Sequence, residues 1–202
     1  MNQIIKNTII LFVITLVAGI CLGTAHDITL DPIAQAQEAA ATKTYQEVYP
    51  DAASFDEPQE LADAVTAAAD SISEWGFGKV TINDAKEALD ASGNQIGYLI
   101  TSTSAESYGG NVQIAVGITN EGELTGIGFL SISDTPGLGM RAKEPDFKDQ
   151  FIGKKAENLE VTKTGASADN QIEAISGATI TSKAVTNATD AAIYFVANCL
   201  AQ

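Results

Sequence analysis

From Asn7 to Ala25 the chain carries no charged residue. The stretch Thr8-Ile9-Ile10-Leu11-Phe12-Val13-Ile14-Thr15-Leu16-Val17-Ala18-Gly19-Ile20-Cys21-Leu22-Gly23 is apolar along most of its length. These 19 residues fall within the roughly 17–25 that a helix needs to cross a bilayer core. Lys6 precedes the run and no Lys or Arg follows it until Lys43. The positive-inside rule then leaves residues 1–6 in the cytoplasm and puts everything after the span on the extracytoplasmic side. A cleaved signal peptide is the competing reading, because Gly23-Thr24-Ala25 resembles a small-x-small cleavage site. The run is long for a signal h-region of about 7–15 residues, so a retained anchor over residues 7–25 is expected. Ile20 stands before Cys21 where a lipoprotein signal needs a small residue.

The remainder of the 202 residues suffices for one globular domain. At 45% hydrophobic residues the chain can bury an ordinary core. The formal net charge of −15 excludes nucleic acid as a partner, since such binding needs Lys and Arg to neutralise phosphates. Anionic lipid headgroups are repelled for the same reason. The acidic surface reads as a solvated exterior or as a docking face for a basic partner. Cys21 and Cys199 have no close-spaced partner, which excludes a zinc site or a thiol-ligated iron–sulfur cluster built from this chain. The one His, His26, sits just past the apolar run as a solvated juxtamembrane residue. Ser-His-Asp catalysis finds no support there. The carboxylates are numerous, but no motif sets two of them around a substrate.

Beyond the span, His26 to Gln46 is polar and rich in Ala and Gln, good helix formers, and predicts a helix that Pro50 and Asp51 end. A second helix can start near Asp56-Glu57-Pro58, with Leu61, Val65, Ala68 and Ile72 on one apolar stripe. Trp75-Gly76-Phe77-Gly78 breaks that pattern. Short runs bounded by Gly, Asn or Asp predict strands over 79–82, 95–102, 112–119 and 124–131. Asn120-Glu121-Gly122-Glu123 is a four-residue hairpin loop. Residues 85–91 read as a short helical or loop insertion, 147–155 as a short amphipathic helix, 159–163 as a strand and 166–170 as a polar loop. Pro136-Gly137 predicts a type II turn that presents Leu138 at a tight corner. Near the C-terminus Ala184, Ala188, Ala191, Phe195 and Cys199, widened by Val185, Ala192 and Val196, mark the apolar face of a helix that packs on a sheet. The expected organisation is a cytoplasmic N-terminus over 1–6, a span over 7–25, a helical connector over 26–78 and a domain over 79–202.

Just before that last helix stands Ser176-Gly177-Ala178-Thr179-Ile180-Thr181-Ser182, with four hydroxyls in seven residues. Ser and Thr at such a place serve as helix caps. Small residues, hydroxyls and free N–H groups ahead of a helix, here expected to begin after Thr181, also suit a phosphate.

The string Ser-Gly-Ala-Thr, an aliphatic residue, then Thr-Ser resembles the covalent flavin-attachment motif of a membrane electron-transfer family. That family includes the G subunit of Rnf ferredoxin:NAD oxidoreductase complexes and the C subunit of sodium-pumping NADH:quinone reductases. Ser133-Asp134-Thr135-Pro136-Gly137-Leu138-Gly139 is similar to the family's Glu-Thr-Pro-Gly-Leu-Gly turn, with Asp134 in place of Glu. Tyr108-Gly109-Gly110 and Phe147…Gln150-Phe151-Ile152-Gly153-Lys154 fit in order and spacing. The resemblance implies an α+β fold: one N-terminal transmembrane helix, then an FMN-binding domain with a mainly antiparallel sheet flanked by helices. It implies FMN held as a phosphoester on Thr179, with Ser176, Gly177, Ala178, Thr181 and Ser182 around the attachment. It places Thr135, Gly137, Leu138 and Gly139 against the flavin ring. Glu173 stands where the family usually carries an Asp read by the flavin transferase.

The implied role is an electron carrier within an Rnf-type complex, partnered by other membrane subunits, rather than an autonomous enzyme. Such a complex moves electrons between reduced ferredoxin and NAD and couples this to sodium or proton transport. Two other classes stay open. A free-standing extracytoplasmic flavin-dependent reductase would need a substrate pocket with cationic side chains, for which Arg141 and Lys143 are the candidates. An exported binding module would carry no flavin.

Overall fold

The computed structural model describes residues 2–155 and 158–200. The chain separates into two units, divided between Thr42 and Lys43. Up to Thr42 the first unit is helical: α1 runs over Gln3–Val48 and passes the divide before it ends. Its most apolar 18-residue window has a mean hydropathy of 2.4, and none of that window is buried by protein. The expected span and the helix expected to follow it therefore form one continuous element, with Pro32 inside it. It stops at Val48, just ahead of Pro50.

The second unit is built on a five-stranded antiparallel meander. Its strands are β1 (Ser54–Asp56), β2 (Val80–Leu89), β3 (Gln95–Ser107), β4 (Gly110–Thr119) and β5 (Leu124–Ile132), in that spatial order. The four predicted strands are all present, and Asn120–Glu123 forms the β4–β5 loop, with Gly122 at φ +74°. In β4 the period of two is plain. Val112, Ile114, Val116 and Ile118 are buried in the main core, while Ala115 and Gly117 face the opposite side.

Residues 85–91 are a correction: β2 continues through them as far as Leu89. Its pairing with β3 slips at Asn83, since Ile82 opposes Ser102 and Asp84 opposes Thr101. The extra residue breaks the alternation, so the core residues Ile82 and Ala85 stand three apart and the stretch does not read as a strand. Residues 43–78, expected as part of a helical connector, lie in this compact unit. β1 pairs with β2, and α2 (Gln59–Ala68) buries Leu61 and Ala68 in the main core.

The helix α4 (Thr179–Phe195) covers the inner face of the sheet. Ala184, Ala188, Ala191 and Ala192 let its backbone approach closely, and the buried Ser102 Oγ donates to the Ala188 carbonyl at 2.9 Å. Val185 and Phe195 are fully buried, each stabilising by about 1.5–3 kcal/mol relative to exposure. A π-helical turn over Val196–Leu200 carries the predicted stripe on to the half-buried Cys199. Trp75 and Phe77 pack against Tyr194, with ring centroids 4.7 and 6.0 Å away.

On the outer face the last turn of α1 is seated by missing side chains. A Cβ on Gly128 would run into Thr44 and Val48, and one on Gly117 into the Thr125 hydroxyl. Thr125 Oγ1 donates to the Val48 carbonyl at 2.7 Å, and the Tyr49 hydroxyl to the Ile96 carbonyl at 2.8 Å.

After β5 the expected helix over 147–155 is shorter. It comprises one turn, α3 (Pro145–Lys148), then a 3-10 turn over Asp149–Phe151. Phe147 and Phe151 fill the core and Gly153, at φ +74°, turns the chain away. The strand expected at 159–163 is β6 (Glu160–Thr162), and it pairs in parallel with an unexpected β7 (Gln171–Glu173).

Asp190 is the one buried carboxylate on α4. Burial pushes its pKa up to about 7, offset only in part by the Leu159 N–H that donates to Oδ1 at 2.9 Å. The folded state therefore holds this proton more tightly than the unfolded chain. Stability falls as pH rises from about 4 to about 7 and levels off above. Asp190→Asn keeps an acceptor for Leu159 and removes the charge. It should melt higher than the parent at pH 8, by an amount on the order of 4 kcal/mol at most, and the gain should vanish near pH 4. Thermal unfolding of the detergent-solubilised chain across that pH range checks it; a pH-independent difference would refute the assignment.

Candidate functional site

Three segments meet where β5 ends and α4 begins. The first is the β3–β4 hairpin around Tyr108-Gly109. The second is the predicted turn, closed by the Leu138 N–H donating to the Thr135 carbonyl at 3.1 Å, with Gly137 at φ +76°. The third is the hydroxyl run, where Gly177 at φ +79° swings the chain into α4.

The helix starts at Thr179, earlier than expected, with Ala178 as its cap. Its first intrahelical bond runs from the Ser182 N–H to the Ala178 carbonyl at 3.0 Å. The start is pulled forward because Ser182 Oγ also donates to that carbonyl, at 3.0 Å, while accepting the Ile175 N–H at 3.0 Å. The N–H groups of Thr179, Ile180 and Thr181 lie ahead of the first intrahelical bond, so the helix itself offers them no acceptor.

Asp134 ties the three segments together. Its Oδ2 accepts the Thr181 hydroxyl at 2.7 Å and the Ser107 hydroxyl at 2.9 Å, and its Oδ1 accepts the Thr135 N–H at 2.6 Å. Burial alone would raise this carboxyl. The bonds from Thr181, Thr135, Ser107 and the Gly109 N–H outweigh it and hold the pKa below the ordinary Asp value.

Between these segments lies a cleft of about 460 Å³ lined by Tyr108, Asp134, Thr135, Leu138, Gly139, Gly177, Ala178, Thr179, Ile180 and Thr181. Tyr108, Leu138 and Ile180 stay exposed at its walls. Of the residues singled out from sequence, Thr135, Leu138, Gly139, Gly177, Ala178, Thr179 and Thr181 come together here. Gly137 shapes the turn without lining the cleft. Ser182 is buried behind it, and the Thr181 hydroxyl is committed to Asp134. The Thr179 hydroxyl, half-exposed on the cleft, has no protein partner among the described residues.

Ser176 and Glu173 line a second hollow of about 250 Å³ with Arg141, Glu144, Asp146 and Gln150 among others. Glu173 is exposed on β7, its backbone N–H donating to Gln150 Oε1 at 2.7 Å. Arg141 pairs with Glu144 at 3.2 Å, and among the described residues no cationic side chain lines the larger cleft. Among the same residues no group of His, Cys, Asp and Glu could hold a metal. Sequence reasoning missed Ile180 as a wall and Asp134 as the tie. An exposed residue beside a helix start and an acid in a turn carry no signal of either role.

The four hydroxyls of the run thus divide by task, which makes their substitutions distinguishable. Ser182→Ala leaves the buried Ile175 N–H without an acceptor and should cost about 1–3 kcal/mol. Thr179→Ala removes an unpartnered hydroxyl and should stay within about 0.5 kcal/mol of the parent. Denaturant unfolding of the two variants in parallel checks the ranking, and equal losses would contradict it.

The FMN-binding domain family matches residues 107–194, the stretch from Ser107 through nearly all of α4. The G subunit of the Na(+)-translocating ferredoxin:NAD(+) oxidoreductase complex of Acetobacterium woodii is 35% identical, over 96% of this chain and 92% of that one. The G subunit of the ion-translocating oxidoreductase complex of Methanosarcina acetivorans is 30% identical, over 96% of this chain and 95% of its own. Among solved structures, the crystal structure of Shewanella oneidensis NqrC superposes with a TM-score of 0.46 at 19% identity, over 55% of this chain and 54% of that one. With the identity to the two G subunits running along nearly the whole of both chains, the protein belongs to the family of Rnf complex G subunits.

Proposed function

We propose that the chain is a membrane-anchored flavoprotein subunit that relays electrons through FMN, carried as a phosphoester on Thr179, within an ion-translocating ferredoxin:NAD oxidoreductase complex. The observation that carries this reading is the state of Thr179. Its hydroxyl opens onto the cleft with no partner among the described residues, while Thr181 and Ser182 spend theirs on protein groups.

The residues present fit the cofactor. A volume of about 460 Å³ lies in the roughly 300–1,000 Å³ range of small-molecule sites. A Cβ on Gly177 would press on Leu138 Cδ2 at 3.2 Å, so glycine there keeps the wall open. Tyr108, Leu138 and Ile180 offer apolar surface to a flat ring. The free N–H groups at the start of α4 suit a phosphate at Thr179, where the helix dipole favours negative charge.

When bound, FMN supplies reversible electron transfer, and the protein supplies position and electrostatics. The tether removes any dissociation equilibrium, which matters for a domain facing the extracytoplasmic space. Among the described residues no acid–base pair is placed beside the cleft: the Asp134 carboxylate is occupied by donors and Glu173 lies in the neighbouring hollow. The free-standing reductase reading is weakened by the lack of a cation on the cleft wall among the described residues. Arg141 is paired with Glu144 away from it. The remaining membrane subunits of the complex would be the redox partners. A flavin transferase would load Thr179, reading Glu173 on its exposed strand.

The purified chain, denatured, should retain the visible absorption of flavin, and peptide mass spectrometry should find one FMN on the Thr179 peptide. Thr179→Ala should be colourless, and Glu173→Gln should lower the loaded fraction without moving the attachment. Flavin on Ser176 or Thr181 with Thr179 free would overturn the assignment. Full loading of the Glu173 variant would remove that residue from the maturation step.

The anchor reading orients the domain outward, because Lys6 precedes the span and basic residues are absent after it until Lys43. Protease supplied to intact cells with opened outer layers should digest the domain. Protection that persists until the cytoplasmic membrane is breached would reverse the orientation.

A further inference from the structure

Among the described residues, the Asp134 carboxylate is the only point at which the hairpin, the turn and the first turn of α4 share a bonding partner, and its surroundings are cut to admit it. Every side-chain or backbone group bonded to it is a donor: two hydroxyls on Oδ2 and the Thr135 N–H on Oδ1. Such a set is met by an ionised carboxylate, which is acceptor-only, whereas an amide would keep the Thr135 bond and require both hydroxyls to turn round and accept from its NH2 group. Two glycines leave the space. A Cβ on Gly139 would collide with the carboxylate itself, and one on Gly109 would collide with the Ser133 carbonyl and the Asp134 Cα. Neither glycine is explained by the turn, since Gly137 alone takes its positive φ.

We infer that Asp134 is the positioning residue of the cleft: it fixes the first turn of α4 against the Thr135–Gly139 turn and holds one negative charge in the cleft wall. Through the 2.7 Å bond from Thr181, two residues past Thr179, it sets where the helix N-terminus points. Through the Thr135 N–H it sets where Leu138 stands. The charge is shielded by its donors but remains in the cleft wall. Reduction adds negative charge to a group bound there, so Asp134 opposes reduction and lowers the potential.

The electrostatic part of this inference rests on the flavin reading above; the clamp does not, and the test separates the two. In the full chain carrying Thr179→Ala, and so without flavin, Asp134→Ala, which removes every one of these bonds, should speed amide hydrogen exchange in residues 105–110, 134–140 and 176–183 together. The expected acceleration is about tenfold or more, the scale of lost charge-assisted hydrogen bonds. Unchanged exchange, or a change confined to the turn, overturns the clamp.

In the flavin-loaded chain Asp134→Asn should raise the midpoint potential. Thr181→Val removes one donor and keeps the charge, so it should speed exchange at 134–140 and 176–183 with a much smaller shift. Asp134→Glu, which restores the carboxylate, should return the potential towards the parent value. A potential that does not move in Asp134→Asn, or that moves as far in Thr181→Val, overturns the electrostatic role. If Asp134→Ala fails to fold, exchange in Thr181→Val decides the clamp; if Asp134→Asn fails, Asp134→Ser, neutral and smaller, takes its place in the potential measurement. Should the parent chain carry no flavin, the proposed function falls, while the exchange measurements still decide the clamp.

Discussion

The close seating of α4 on the inner face of the sheet is the constraint from which the rest of this domain follows. A helix lined with alanine brings its backbone within reach of β3, and the buried Ser102 hydroxyl exploits that approach by donating to the Ala188 carbonyl. Once the helix axis is set, its N-terminus must emerge beside the end of β5. The chain then has to arrive there through Gly177 and leave β5 through the Pro136-Gly137 turn. The cleft is the gap those two entries leave. Its walls are backbone corners, short side chains and the exposed Tyr108, Leu138 and Ile180.

Polar groups at the site fall into two sets with opposite demands. Thr181, Ser182, Ser107 and Asp134 are spent on one another or on backbone, and they make the geometry. Thr179 is left over and faces the cleft. A buried polar network is stable only when every member is satisfied, which leaves the one hydroxyl of the run that faces the cleft outside it. The same economy appears on the outer face of the sheet. There glycines at 117 and 128 make room for the last turn of α1, and Thr125 satisfies its terminal carbonyl at Val48.

The family of Rnf complex G subunits, to which the chain belongs, gives this arrangement its context. An open cleft beside the start of α4 agrees with an electron-relaying flavoprotein subunit. The long N-terminal helix suits a subunit anchored in a membrane.

Local pattern determined much of this protein. The apolar run of residues 7–25, the period-two alternation of β4, the four-residue loop at 120–123, the Pro-Gly turn and the stripe of α4 are short-range signals. Each is readable because neighbouring residues alone satisfy the rule that creates it. The segment from 85 to 91 misleads because the bulge at Asn83 shifts the phase of the alternation, and only the pairing partner reveals a slip. β7 is invisible to local pattern because three residues in parallel with β6 depend wholly on that neighbour. The hydroxyl run announces a site but not its division of labour. Thr181 turns inward because Asp134, 47 positions earlier, waits there. The helix begins at Thr179 because Ser182 reaches back to Ala178 and Ile175. Composition and spacing name the groups available; which of them remains free for chemistry depends on contacts between segments far apart in the chain, and those exist only once the sheet and α4 have packed.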